Sequence, residues 1–299
     1  EIAQCLVGSE MCIRDSNQTS HIKNIIKIVS RIPMDENQGY DVLGFIYEFL
    51  LKNFASNSKK DGEFYTPHEI SILMSEIVAH HLRDREQINI LDPTSGSGSL
   101  LINIGQSVQK YLQDSGNITY YAQELIQETF NLTRMNLVMR GISPSNIKVR
   151  RGDTLANDWP YFDDNDENSY EYVPVDCVVS NPPYSHKWDA DNHTNDPRYK
   201  EYGIAPASKA DYAFLLHDLY HLKDNGIMCI VMPHGVLFRG GSEKDIRTQL
   251  VENNNIETII GLPSNCFYGT GISTIIMVLK KHREASDLSL IHISEPTRH

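Results

Sequence analysis

Ile88-Asn89-Ile90-Leu91-Asp92-Pro93-Thr94-Ser95-Gly96-Ser97-Gly98-Ser99 decides the fold. The opening run from Ile88 to Leu91 is short and mostly apolar, the pattern of a strand buried in a sheet. The glycines that follow permit a tight strand-to-helix turn and let a ligand approach the backbone closely. By itself such a turn is equally consistent with a structural role or with holding a dinucleotide phosphate. A phosphoryl-transfer site would need a Lys-Ser or Lys-Thr pair after the glycines, and none follows.

Working outward, strands alternate with helical patterns. Upstream, Thr66 reads as the cap and Pro67 as the first turn of a helix running to Arg83. Downstream, strand candidates are Thr119 to Gln123, Ile147 to Arg150, Asp176 to Ser180, Gly226 to Met232, Ile256 to Gly261 and Ser273 to Leu279. With Ile88 to Leu91 they predict an α/β fold, a doubly wound and mostly parallel seven-stranded sheet covered by helices on both faces. Ligands of such sheets bind beyond the carboxyl ends of the strands. Before the sheet, residues 17–60 carry helical spacing, notably Tyr40 to Leu50, and are expected to form a partial helical segment. The polar stretch Ser56 to Gly62 separates the two regions. The acidic run Asp163 to Glu167 reads as a solvated loop.

The two ends read as foreign. Leu6 to Ser16 back-translates into a transposon library adapter, and Leu288 to Arg298 into its reverse complement, so residues 1–16 and 288–299 are expected to be translated adapter. Removing Arg14, Arg298, Glu1, Glu10, Asp15 and Glu295 changes the net charge from −12 to −10. An acidic chain argues against strong autonomous binding to a phosphate backbone. No run reaches the roughly 18 apolar residues of a membrane span. The remaining cysteines, Cys177, Cys229 and Cys266, lack metal-ligand spacing and read as reduced core residues, as in a cytoplasmic protein.

The strand ends sharpen the glycine turn. Asp92, Glu124 and Asp153 close three successive strands. A carboxylate in Glu124's place can accept both ribose hydroxyls, and one at Asp153, before Thr154, can accept from an adenine amino group. A single acid of this kind is often only a helix cap. Three in succession favour S-adenosylmethionine. The fourth strand ends in Asn181-Pro182-Pro183-Tyr184, a turn that sets side-chain and main-chain oxygens beside an aromatic face. That arrangement suits a planar amine: the Asn181 side-chain oxygen and the Pro182 carbonyl can each accept one of its protons.

These motifs, with Gly62-Glu63-Phe64-Tyr65-Thr66-Pro67 and Phe238-Arg239-Gly240-Gly241, resemble those of amino-methylating DNA methyltransferases, most closely the modification subunits of type I restriction-modification systems. The resemblance covers about Gln38 to Leu279 and makes residues 61–287 the catalytic domain. It implies methylation of the 6-amino group of adenine in DNA. It also implies cofactor contacts from Phe64, Tyr65, Thr66 and Pro67 at the methionine end, and from Asp92, Pro93, Thr94, Ser95, Gly96, Ser97 and Gly98. Further cofactor contacts are Glu124, Asp153, Thr154 and Asn181, with Phe214 packing on adenine. Asn181, Pro182, Pro183 and Tyr184 are the implied catalytic residues, and Tyr184 and Phe267 stack on a flipped-out target base. Phe214 and Phe267 also read as ordinary core aromatics, and His186, Lys187 and Trp188 as surface loop or DNA contacts. The implied partners are DNA, a separate specificity subunit shared by two methyltransferase subunits, and a restriction subunit where one exists.

Two other readings stand beside this one. The same turn serves protein-glutamine and ribosomal RNA guanine methyltransferases. A non-catalytic cofactor-binding assembly subunit could retain the fold, although intact Asn181, Pro182 and Tyr184 argue against it.

Overall fold

The computed structural model describes residues 66–112, 117–156, 174–264, 266–267 and 271–283, together with Lys27. The expected helical segment 17–60, the lead-in residues Phe64 and Tyr65, the acidic run 163–167 and both expected adapter segments lie outside the described residues, apart from Lys27.

The helix α1 (His68–Leu82) buries Ile70, Met74, Val78 and Leu82 in one row and Ser71, Ser75 and Ala79 in the next. That four-residue spacing makes a stripe on one helix face, which packs on the sheet and on α2 (Ser99–Gln109). Where α1 meets α2, the Asn103 side-chain amide donates to Ser71 Oγ at 2.7 Å. Gly105 of α2 lies so close to the sheet that a Cβ there would sit 2.1 Å from the Tyr120 hydroxyl.

The sheet has seven strands in the order β3-β2-β1-β4-β5-β7-β6. They are β1 (Ile88–Asp92), β2 (Ile118–Glu124), β3 (Ile147–Arg151), β4 (Val175–Ser180), β5 (Leu222–Pro233), β6 (Ile256–Gly261) and β7 (Thr274–Leu279). The first five are parallel, whereas β7 enters antiparallel between β5 and β6. The predicted class is therefore observed, with one antiparallel insertion. Strand β5 begins at Leu222 rather than Gly226, directly after α4 (Asp211–His221), and its pairing with β4 shifts register between Val175 and Cys177.

Alternation along the strands feeds two cores. Ile227, Cys229 and Val231 of β5 join Cys177, Val179, Ile276 and the α1 and α2 side chains on one face. Met228, Ile230 and Met232 join Leu91, Val178, Met277, α4 and α5 (Ser242–Glu252) on the other. Burial on both faces explains why the central strands read as nearly continuous apolar runs, each such side chain contributing about 1.5–3 kcal/mol. Cys177 and Cys229 are buried free thiols, as expected, but Cys266 is only half-buried and is no core residue.

The order in which strands are added reverses between the parallel neighbours β1 and β4: one path leads to β2 and β3, the other to β5 and beyond. The glycine turn leaves β1 and the Asn-Pro-Pro-Tyr turn leaves β4, so both stand beside this switch point at the carboxyl edge.

Candidate active site

The glycine turn is shaped by its neighbours. Gly96 and Gly98 have φ of +54° and +79°, in the left-handed region that side chains disfavour. The helix α3 (Gln127–Met139) holds the turn from behind: Thr133 Oγ1 donates to the Gly96 carbonyl at 2.6 Å, and the Asn136 amide donates to the Ser97 carbonyl. Ser95 N–H donates to the Gln123 carbonyl at 3.0 Å, tying the turn to β2.

Asp92 lies at the mouth of this turn and is 1 % exposed. Its Oδ1 accepts from Thr94 N–H at 3.1 Å. Its Oδ2 and the Thr94 hydroxyl are buried with no hydrogen-bond partner among the described residues. Burial, with a lesser push from the Glu124 charge, raises the Asp92 carboxyl to about 8. An added hydrogen-bond donor would satisfy the unpartnered oxygen of this buried carboxyl.

The other strand-end acids are already engaged with the backbone. Glu124 accepts from Gly96 N–H and from Ile126 N–H, both at 2.9 Å, so it braces the glycine turn as well as facing the edge. Asp153 accepts from Leu155 N–H at 2.9 Å through Oδ1, closing a side-chain turn at residues 153–155. Thr154 Oγ1 donates to the Pro93 carbonyl and joins the loop after β3 to the loop after β1. Phe214 is 5 % exposed in the core cluster that contains Leu91 and Leu155.

At the end of β4, Asn181 is 8 % exposed and linked on both sides. Its Nδ2 donates to Thr66 Oγ1 at 3.0 Å. Its Oδ1 accepts from the Tyr184 hydroxyl at 2.8 Å. The Thr66 hydroxyl therefore serves Asn181, and the expected cap is corrected: the residue preceding α1 is Pro67, with no side-chain cap. The Tyr184 ring meets Phe267 edge-on, with centroids 6.2 Å apart, so two expected stacking residues are neighbours. Burial, with the Asp211 charge adding, pushes the Tyr184 phenol well above its ordinary range, leaving it a neutral donor.

The structure adds residues that the sequence reading passed over. Ser185, after the turn, has φ of +52°, and its N–H donates to Asp211 Oδ1 at 2.7 Å. Asp211 Oδ2 in turn accepts from Arg239 Nη1 at 2.6 Å, and Arg239 also meets Glu243 Oε1 at 3.1 Å. Arg239 belongs to the Phe-Arg-Gly-Gly motif, where it had no assigned role, and Asp211 lies three residues before Phe214. Below the turn, Ser180 Oγ donates to the fully buried Asp218, whose carboxyl is raised well above the usual range by burial, against the Ser180 bond and with the Asp92 charge adding. Trp188 is packed, stacked on His193 with centroids 5.6 Å apart, while His186 and Lys187 are exposed.

The carboxyl edge thus joins a glycine turn with an unsatisfied carboxyl to an amide-aromatic pocket. Residues 38–298 match the family model described as N-6 DNA methylase. A type I restriction enzyme methylase subunit (MpnII) of Mycoplasma pneumoniae is 37 % identical, the match covering 96 % of this chain and 52 % of that protein. A corresponding subunit (MjaVIII) of Methanocaldococcus jannaschii is 34 % identical over 89 % of this chain and 45 % of its own length. The crystal structure of a type I restriction-modification methyltransferase subunit from Streptococcus thermophilus superposes with a TM-score of 0.76 at 42 % identity, covering 87 % of this chain and 53 % of that one. The chain spans about half the length of these relatives. It belongs to the N-6 DNA methylase family.

Proposed function

We propose that the chain carries the catalytic part of an S-adenosylmethionine-dependent DNA methyltransferase acting on the 6-amino group of adenine, within a type I modification subunit. The observation that carries this reading is the pairing, at one sheet edge, of the orphaned Asp92 Oδ2 beside the glycine turn with the Asn181-Tyr184-Phe267 pocket. S-adenosylmethionine, when bound, supplies a methyl group on a sulfonium. Asp92 and Thr94 are the natural partners for its amino-acid end, Glu124 for its ribose, and Asp153 and Phe214 for its adenine.

On the acceptor side, the target nitrogen is a poor nucleophile because its lone pair is delocalised into the ring. Asn181 Oδ1 and the Pro182 carbonyl accept its two N–H bonds and favour a pyramidal nitrogen. To do so, Asn181 must first release the Tyr184 hydroxyl it holds at 2.8 Å. Tyr184 and Phe267 then offer apolar surface to a base flipped out of the duplex. Acceleration comes from positioning and fixed dipoles, and the proton leaving the methylated nitrogen passes to solvent.

The proposed partners are those that the type I resemblance implies, and charge supports them. A net charge of −12, or −10 without the proposed adapter ends, leaves little electrostatic attraction for duplex DNA. Sequence reading therefore falls to a separate specificity subunit, which two methyltransferase subunits share, with a restriction subunit as a further partner. The test is transfer of tritiated methyl to DNA by the complete subunit, with and without the protein encoded beside it. Site-specific adenine methylation should require the partner. Methylation of one site by the lone chain would refute the subunit assignment, and label in protein or RNA instead of DNA would refute the substrate.

A further inference from the structure

Arg198 is a cation with 2 % of its side chain exposed, in the segment between the Asn-Pro-Pro-Tyr turn and α4. No motif contains it. Its guanidinium is used on every side. Nη1 donates to the Thr154 carbonyl at 2.9 Å and Nη2 to the Leu155 carbonyl at 2.8 Å. Nε meets both oxygens of Asp196, at 3.0 and 3.1 Å, and Nη2 adds a bond of 2.6 Å to the same carboxylate. Nη1 also lies 3.0 Å from His217 Nδ1, and the guanidinium carbon sits 5.2 Å from the centre of the Tyr199 ring.

The two carbonyls it grips belong to the loop that carries Asp153. From the other side, Asp153 Oδ1 accepts from Leu155 N–H at 2.9 Å and Thr154 Oγ1 donates to the Pro93 carbonyl. The peptide between Thr154 and Leu155 is therefore held at its carbonyl by Arg198 and at its N–H by Asp153, and Arg198 also holds the carbonyl of the next peptide. With these peptides held, the Asp153 carboxylate that bonds the first of them is held in direction too. The guanidinium reaches both carbonyls and the Asp196 carboxylate at once through its three nitrogens, whereas a lysine offers one nitrogen in one position and cannot occupy all three places.

We propose that Arg198 is a positioning residue for the adenine end of the cofactor pocket, clamping the Thr154 and Leu155 carbonyls so that Asp153 presents its carboxylate to the adenine amino group. This rests on the reading of Asp153 as an adenine ligand. It extends that reading to a residue from the segment following the catalytic turn, so that adenine recognition and the acceptor turn share one stretch of chain.

The test measures ligand selectivity in the full chain. Calorimetry compares S-adenosylhomocysteine with S-inosylhomocysteine, which carries an oxygen in place of the adenine amino group. The unmodified protein should prefer the adenosine compound by about tenfold or more, the size of one charge-assisted hydrogen bond. Asp153→Ala and Arg198→Lys should each reduce that preference to below about threefold. Asp196→Asn, which leaves Arg198 in place but weakens the carboxylate aiming it, should give an intermediate ratio and serves if the lysine variant does not fold. A purely structural Arg198 would weaken both ligands equally and leave the ratio unchanged, which would overturn the proposal. If Asp153→Ala abolishes the preference while Arg198→Lys and Asp196→Asn keep it, the Arg198 assignment alone fails. If the unmodified protein shows no preference, the Asp153 reading fails and the proposal with it.

Discussion

Replacing Asp92 by Asn should stabilise the ligand-free protein while destroying its capacity to bind cofactor. The Asp92 carboxyl is raised from 3.8 to about 8, chiefly by burial. Between those values the folded chain holds a proton that the unfolded chain has released, so stability falls as pH rises through this window and levels off above about 8. At 1.36 kcal/mol per unit, the span from 3.8 to neutrality costs the folded state about 4 kcal/mol. Asn has no such cost and still offers an oxygen to Thr94 N–H. Its amide N–H, placed where Oδ2 finds no partner, gives back about 1–3 kcal/mol. The net gain at pH 7 is roughly 1–3 kcal/mol, worth several degrees in the unfolding midpoint of a domain this size.

The assay is thermal unfolding of both proteins from pH 6 to 9, with calorimetric titration of S-adenosylmethionine in parallel. The stability difference should widen up to about pH 8 and then stay level, following the raised carboxyl. For the unmodified protein, cofactor affinity should climb over the same range, because the ligand's cationic end pairs with the ionised form. A variant less stable than its parent at pH 8, or a difference that does not vary with pH, would refute the reasoning.

Asn181→Ala should reduce methyl transfer by about 10²-fold or more while leaving the cofactor dissociation constant within about twofold, since Asn181 is assigned to the acceptor amine. A matching loss of cofactor affinity by calorimetry would reassign it. Tyr184→Phe keeps the ring but removes the hydroxyl that occupies Asn181 Oδ1, so transfer should stay within about threefold and KM for DNA should not rise; a defect as deep as that of Asn181→Ala would give the hydroxyl a chemical role. Asp211→Asn removes one of the two carboxylates paired with Arg239, leaving Glu243, and should cost about 1–3 kcal/mol of stability, with kcat falling more than cofactor affinity. Adding Arg239→Gln to it should recover part of that stability, and additive losses would show that the two residues act separately.

How far these groups could be read from the chain alone depended on the distance to their partners. The strands were legible because burial on both faces leaves short apolar runs, and most of their ends fell within a residue of expectation. Strand β5 was foreshortened because Lys223, Asp224 and Asn225 do not read as strand, although Leu222 already pairs with Val175. The orientation of β7 is a tertiary choice with no local signature. Thr66 before Pro67 has the local form of a helix cap, but a residue 115 positions later claims its hydroxyl. The strand-end acids were found by position, yet the backbone amides that occupy Glu124 and Asp153 were not foreseeable from spacing. Arg198, Asp211 and Arg239 were missed for the same reason: each is defined by a partner that only the fold brings near.

Three buried carboxyls, two in the sheet and one on the helix α4 packed against it, differ in how they are answered. Asp176, at the amino end of β4 and 2 % exposed, is fully answered: Lys223 Nζ lies 2.9 Å from each of its oxygens, and Asn89 N–H donates to it at 2.9 Å. Asp92 closes the carboxyl end of β1, and Asp218 lies under the last residue of β4. Each keeps one oxygen without a partner among the described residues, and burial raises both carboxyls. Burial is similar at the two ends of the sheet, so burial alone cannot explain the difference. What differs is the supply of counter-charge: Asp176 has Lys223, and Asp211 behind the acceptor turn has Arg239, whereas Asp92 and Asp218 each keep an oxygen with no partner among the described residues. Unsatisfied polar groups of this kind survive in a packed interior when a ligand completes them or when they set a neighbour's position. We assign Asp92 to the first case, as the partner proposed for the cofactor's amino-acid end. Asp218 fits the second, anchoring Ser180 one residue before Asn181.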